Sequence, residues 1–156
     1  MTQVNTGISA EDRKRVADGL ARVLADSHAL YVKTQNYHWN VEGPHFQALH
    51  QLFEQQYTDL RTAIDEVAER IRALGHYAPG SYSEFGKLAA VPEETGRPDW
   101  QQMVRQLAED QETLVGTLRQ VLSTANEAND HVTDDLLTTR MQVHEKNTWM
   151  LRAHLS

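Results

Sequence analysis

An all-α fold, with four long helices in one bundle, is what this sequence predicts, on three observations. Apolar residues between Phe46 and Leu74 recur at alternating steps of three and four: Phe46, Leu49, Phe53, Tyr57, Leu60, Ile64, Val67, Ile71 and Leu74. That spacing marks a helix with one buried stripe. Further stretches before and after it repeat at helical spacing, and helix-start signals precede them: Ser9 with Asp12, Asp99 with Gln102, and Thr133. The connection after Leu74 is long, so the third long helix need not lie antiparallel to the second.

Residues 1–8 read as a short polar tail and 9–156 as a single domain. Ser9 caps a first helix that runs to about Trp39, with Val16, Leu20, Val23, Leu24, Leu30 and Tyr31 on one side. Asn40 to Gly43 make a turn, and Pro44 suits the first position of a second helix that continues to Leu74. Gly75 ends it as a left-handed cap residue, and His76 to Gly80 turn the chain. Ser83 caps a short extra helix over Glu84 to Ala89, and AVPEETGRP is loop. The Asp99 and Gln102 capping box opens the third long helix, with Met103, Leu107, Leu114, Leu118, Val121 and Leu122 in phase and an end near Ala125. Thr133 caps the last helix, which carries Leu136, Leu137, Met141, His144, Thr148 and Leu151.

A chain of 156 residues is one domain, long enough to bury a core. Fifteen Lys and Arg stand against 22 Asp and Glu, and the net charge of −7 disfavours nonspecific attraction to nucleic acid or anionic membrane. No run approaches the ~18 consecutive apolar residues of a membrane span. The start, MTQVNTGISAEDRKRV, lacks the apolar segment of a secretory signal, so a cytoplasmic location is expected. Cysteine is absent, which excludes disulfides, thiolate metal sites and cysteine nucleophiles. Arg13, Lys14 and Arg15 form the one basic run near the start, and a solvated helix turn accounts for it.

The chemistry-bearing residues gather between His38 and Glu69. With the apolar stripe of the second helix at zero, His50, Glu54, Asp65 and Glu69 fall at roughly 60°, 100°, 120° and 160°, so they share one flank. Along the axis, however, His50 and Glu69 are about 28 Å apart and Glu54 and Asp65 about 16 Å apart. One chain cannot bring both pairs to one metal. A two-fold partner can, because two antiparallel copies of a helix place each residue opposite the one whose number completes a constant sum. His50 with Glu69 and Glu54 with Asp65 have the same sum, so one register joins both pairs and symmetry makes a second cluster. His38, before the turn, lies at the same end of the helical hairpin as His50. Such pairs also occur on plain solvated helix faces, with Arg61 beside Asp65 or Arg72 beside Glu69, so spacing by itself leaves both readings standing.

A second acidic group, Glu127, Asp130, Asp134 and Asp135, surrounds the start of the last helix. Carboxylates there are favoured by the helix dipole, and that accounts for them; three copies around an axis would also form an acidic funnel for cations. Trp39 reads as packing, His45 as an exposed residue at a helix start, and His131 and His144 as surface or core histidines.

The segments HWNVEGPHFQALHQLFE, DEVAERIRALG and DHVTDDLLTTRMQVHEKNTWMLRAHL resemble the Dps family, the mini-ferritins, and the resemblance covers nearly the whole chain. It implies a ferritin-like four-helix bundle with a short extra helix in the crossover from the second to the third long helix, seated at a dimer interface. It also implies a dodecameric hollow shell that oxidises Fe(II), preferably with hydrogen peroxide, and stores ferric mineral as protection against oxidative stress. Carried over by residue, His38, His50 and Glu54 would come from one chain and Asp65 and Glu69 from its partner, holding two irons per shared site, with zinc possible at the same ligands. The position of Glu54 is often Asp in the family, and the longer side chain bears on the geometry of the second iron. Trp39 matches a tryptophan that intercepts oxidising equivalents, and Glu127, Asp130, Asp134 and Asp135 match the region that lines iron-entry pores. DNA-coating members use Lys- and Arg-rich terminal tails on phosphates. This sequence has none at either end, so weak or absent DNA binding is expected, with Arg13, Lys14 and Arg15 the sole exception. The alternatives are a DNA-compacting protein of the same fold, and a non-catalytic helical assembly or Zn(II) or Mn(II) buffer.

Overall fold

The computed structural model describes residues 3–156; Met1 and Thr2, the first part of the expected polar tail, lie outside the described residues. Four long helices, α1 (Ala10–Asn40), α2 (Phe46–Ala73), α4 (Trp100–Glu127) and α5 (His131–Ala153), surround one core, and a short helix, α3 (Tyr82–Leu88), sits in the crossover. Helices α1 and α2 form one hairpin and α4 and α5 the other; α3 packs on α1.

The helix ends follow local chemistry, with four corrections to the sequence-based boundaries. Ser9 caps α1 as expected, its hydroxyl accepting the Asp12 N–H at 3.1 Å. Helix α2 begins at Phe46 rather than Pro44, because Gly43 at φ 118° still turns the chain there. It closes as expected at Gly75, whose φ of 94° lets the His76 N–H reach the Ile71 carbonyl and its own N–H reach that of Arg72. Helix α3 is capped by Ser81, not Ser83, since Ser81 stands three residues before Glu84 and the two close a reciprocal capping box. The Asp99 and Gln102 box opens α4 as expected, although α4 runs on to Glu127. Helix α5 is capped by Asp130 rather than Thr133: Asp130 takes the Thr133 N–H at 3.0 Å, and Asn129, at φ 54°, supplies the left-handed turn before it.

The core is built from Leu20, Leu24, Leu30, Leu49, Phe53, Leu107, Leu114, Leu118 and Leu137, all fully buried. Gly19 permits the close crossing of α1 and α4, where an added Cβ would meet Val121 at 2.8 Å. On α2 the buried line is Leu49, Leu52, Phe53, Gln56, Leu60, Ala63, Val67 and Ile71. Phe46 is 44% exposed, and Tyr57 and Ile64 are half-buried, so the predicted stripe is corrected by a rotation of roughly 30° away from the His50 flank. That rotation leaves Tyr57 at the edge of the core, beside the candidate site.

Polar groups inside the bundle are paired across helices. Lys33 lies 2.8 Å from the Asp110 carboxylate and donates to the Pro92 carbonyl at 3.0 Å. Burial raises Asp110 above the ordinary carboxylate range, and the Lys33 ammonium opposes that. Asp26 accepts the Ala90 and Val91 N–H groups on one oxygen and the Thr117 hydroxyl on the other, so the crossover segment is tied to α1 and α4 together. Between α4 and α5, His144 donates from Nδ1 to Gln111 at 2.6 Å and accepts at Nε2 from Arg140, which also holds Asp59 of α2 at 2.9 Å.

Candidate metal centre

Where α1 ends and α2 begins, two histidines hold one another. The His38 and His50 rings stack at 3.8 Å between centroids, 11° from parallel. His38 Nδ1 lies 2.7 Å from the His50 carbonyl, and His50 Nδ1 lies 2.6 Å from the His38 carbonyl. A carbonyl only accepts, so each Nδ1 must carry the proton. With Nδ1 so engaged, the nitrogen left to each ring for a metal is Nε2, which binds in the neutral form of imidazole. Helix geometry explains the second bond: the His38 carbonyl is among the last of α1, which have no partner inside the helix, and His50 supplies one. His38 is buried, His50 half-buried, and Phe46 stacks on the outer side of His50 at 5.0 Å.

Glu54 lies one turn after His50 on α2 and is exposed, as are Asp65 and Glu69 further along the same helix. Glu69 is held above the ordinary carboxylate range, first by a hydrogen bond shared with Asp65 and then by the Asp65 charge. The like charge of Asp65 beside Glu69 is of the kind that a bound cation would relieve. Among the described residues no three His, Asp or Glu side chains of this single chain converge on one metal position. The candidate ligands thus fall into two groups at separate heights on α2: a histidine pair with Glu54, and Asp65 with Glu69.

The other candidates sort differently. Trp39 is 64% exposed and makes no ring contact with the histidine pair among the described residues. Glu127 and Asp135 are exposed, with Glu127 2.6 Å from Arg15, and Asp134 is half-buried. Asp130 differs from the pore expectation: it is 2% exposed, spent on the α5 cap and on Arg70 of α2 at 2.8 Å, because an orphaned helix N-terminus and a neighbouring guanidinium both compete for its oxygens. His131 is exposed and His144 is core, within the reading given to both. By sequence Tyr57 is a core position only, yet its ring meets His38 edge-on at 5.2 Å; its place two helical turns beyond His50 is the available signal. A cavity of about 620 Å³ lies away from His38 and His50, between α1, α3 and the crossover, with His28 in its lining.

The ferritin-like domain family matches residues 17–156. The chain is 43% identical over 157 residues to a low-temperature-induced protein of Nostoc that is itself uncharacterized, covering 99% of this chain and 88% of that protein. It is 39% identical over 140 residues to the DNA protection during starvation protein of Brevibacillus brevis, covering 90% of this chain and 94% of that one. In three dimensions it matches the Dps protein of Vibrio cholerae, described as one of the ferritin-like diiron-carboxylate proteins, with a TM-score of 0.94, 34% identity, and coverage of 100% and 98% of the two chains. With the same helical architecture and near-complete coverage in each comparison, the chain belongs to the Dps proteins of the ferritin-like family.

Proposed function

We propose that this chain is the subunit of a homo-oligomeric shell, a dodecamer, that oxidises Fe(II), preferably with hydrogen peroxide, at sites shared across a dimer two-fold, and stores the ferric product. The observation that carries this reading is the reciprocal tie between His38 and His50, which frees both Nε2 lone pairs for a metal while the same chain holds Asp65 and Glu69 too far along α2 to complete the site. An antiparallel partner brings them opposite. Neutral imidazole and carboxylate oxygen suit Fe(II), and the charge of Asp65 and Glu69 favours Fe(III), so oxidation is promoted where the iron sits. Glu54, one helical turn after His50 on α2, would serve a second iron. The exposed apolar side chains Val32, Tyr82 and Leu88, on α1 and α3, give a second copy a surface to cover.

Anaerobic Fe(II) loading followed by peroxide, with ferric absorbance and a hydroxyl-radical trap as readouts, tests it. The parent forms ferric product without trapped radical; the Asp65→Asn, Glu69→Gln double variant does not form it rapidly. Equal behaviour of the two would mean that the flank cluster is not the catalyst, leaving an assembly protein or a zinc or manganese buffer.

Iron entry falls to Glu127, Asp134 and Asp135, with Asp130 held back by its cap. DNA binding is weak or absent, a reading supported by the employment of each cation in the basic run. Arg13 donates to the Ile8 and Leu74 carbonyls, Lys14 pairs with Asp18, and Arg15 with Asp12 and Glu127. Plasmid should run unretarded beside the protein in a gel; salt-sensitive retardation would overturn this and favour the DNA-compacting alternative. Among the described residues no helix is long and apolar enough to cross a membrane.

A further inference from the structure

The start of α2, one turn before His50, has little of its own to hold it. His45 precedes the helix without a side-chain cap, and no carboxylate stands in the first turn. A helix start without a cap leaves N–H groups unpartnered and frays. The α1 side of the same joint is secured from α4: the fully buried Tyr37 hydroxyl, next to His38, donates to the Gln106 side-chain carbonyl, and the Gln106 amide donates to Glu94 at 3.3 Å. On the α2 side the grip from α4 is a ring. Trp100 meets the His45 imidazole edge-on at 4.8 Å and 71°, and it lies so near the turn that a Cβ added at Gly43 would stand 3.1 Å from its Cδ1. Gly43 thus combines a positive φ of 118° with a close approach. Trp100 is half-buried and well anchored, as the first residue of α4 behind the Asp99 and Gln102 capping box.

We propose that Trp100 is a positioning residue for the histidine pair. Seated against Gly43 and His45, its ring does the work of the missing cap and keeps the first turn of α2 wound. That turn fixes His50 through the helix backbone and through Phe46, which stacks on the His50 ring at 5.0 Å. His50 in turn holds the His38 carbonyl at 2.6 Å. Without the indole the turn frays, and the pair is tied for only part of the time. A metal then binds only that fraction of the molecules, and the apparent affinity falls in proportion. This role rests on the metal-site reading above and adds to it a residue from the opposite hairpin, which the spacing of the ligands does not reveal.

Zn(II) alone is the probe, because it takes imidazole and carboxylate ligands and does not change oxidation state. Calorimetric titration of the assembled parent should show a Zn(II) binding event that disappears in the His38→Ala, His50→Ala variant. Trp100→Ala is expected to weaken that event roughly tenfold. It should also speed hydrogen exchange at the Leu49 amide, which is bonded to the His45 carbonyl at 3.0 Å. Trp100→Phe, which keeps a flat ring, should bring both readouts back near the parent. Leu118→Ala is the control: it removes a fully buried side chain from the same helix, about 27 Å away along the axis, so it lowers stability while zinc affinity and exchange at Leu49 stay as in the parent. Should Trp100→Ala fail to assemble, Trp100→Leu, apolar but not planar, is expected to move both readouts in the same direction. Parent-like zinc affinity in the alanine or leucine variant, whether or not exchange quickens, overturns the role. An equal loss in Leu118→Ala overturns it too, since the effect would then be one of global stability, as does a Trp100→Phe variant that recovers nothing. A parent that lacks the histidine-dependent zinc event overturns the metal-site reading, and the positioning role falls with it.

Discussion

Two inactive variants, refolded together in equal amounts, are expected to regain about a quarter of the parent's ferroxidase sites. One carries His38→Ala and His50→Ala, the other Asp65→Asn and Glu69→Gln. Each alone has no complete site, since every site in either homodimer lacks one half. In a mixed dimer, the histidines of the second variant meet the carboxylates of the first and form one whole site, while the other site lacks both halves. Random pairing makes about half the dimers mixed, each with one of its two sites intact, which gives that fraction. The measurement is the ferric absorbance change per chain after peroxide, for the mixture and for each variant separately. Recovery cannot come from a site within one chain. If the mixture stays as inactive as its components although mass spectrometry finds mixed assemblies, the two halves do not belong to one site.

Acid should destabilise the bundle through His144, and Gln in its place should remove that part of the effect. Burial first, and then the Arg140 guanidinium, lower the His144 pKa from 6.5 to about 3. The folded state keeps the ring neutral, with Nδ1 donating to Gln111 and Nε2 accepting from Arg140. The unfolded chain takes up a proton at an ordinary pKa, so between pH 6.5 and about 3 it binds more protons than the folded chain. Stability from this group is therefore complete above pH 6.5 and declines as pH falls toward 3. At 1.36 kcal/mol per unit, acidifying to about pH 4 costs on the order of 3 kcal/mol. Gln can keep both hydrogen bonds without titrating. Denaturant midpoints for the parent and His144→Gln at neutral pH and near pH 4, at equal chain concentration, should diverge on acidification, with the variant losing less. Parallel losses would show that the surface carboxylates, not His144, govern acid sensitivity.

The long helices were legible because their signals are local: the stripe on α2, the caps at Ser9 and Asp99, and Gly75 with its left-handed turn all act within a few residues. Thr133 and Ser83 misled because each is a good cap residue with a competitor one turn or less upstream. Asp130 offers a charged acceptor and gains Arg70 from α2, a partner sequence distance hides; Ser81 alone has Glu84 at the spacing that closes a box. The common flank of His50, Glu54, Asp65 and Glu69 followed from helical period. The rotation of the buried line did not, since it depends on how α2 lies against α1. That rotation is what moved Tyr57 from core to the rim of the histidine pair. The proton positions on His38 and His50 were likewise out of reach, because they depend on two carbonyls that only the folded hairpin brings within reach.

The mutual tie of His38 and His50 bears on how any single substitution there should be interpreted. Each ring is held by the other's backbone and by the other's face, so neither is an independent ligand. Replacing His50 removes a donor nitrogen, strips the last turn of α1 of a partner for its carbonyl, and releases His38 from its stack. Replacing His38 does the converse at the first turns of α2. The two losses will not add: the second substitution will cost little once the first is made. The hairpin joint and the metal-binding nitrogens are one latch, and a change to either half opens both.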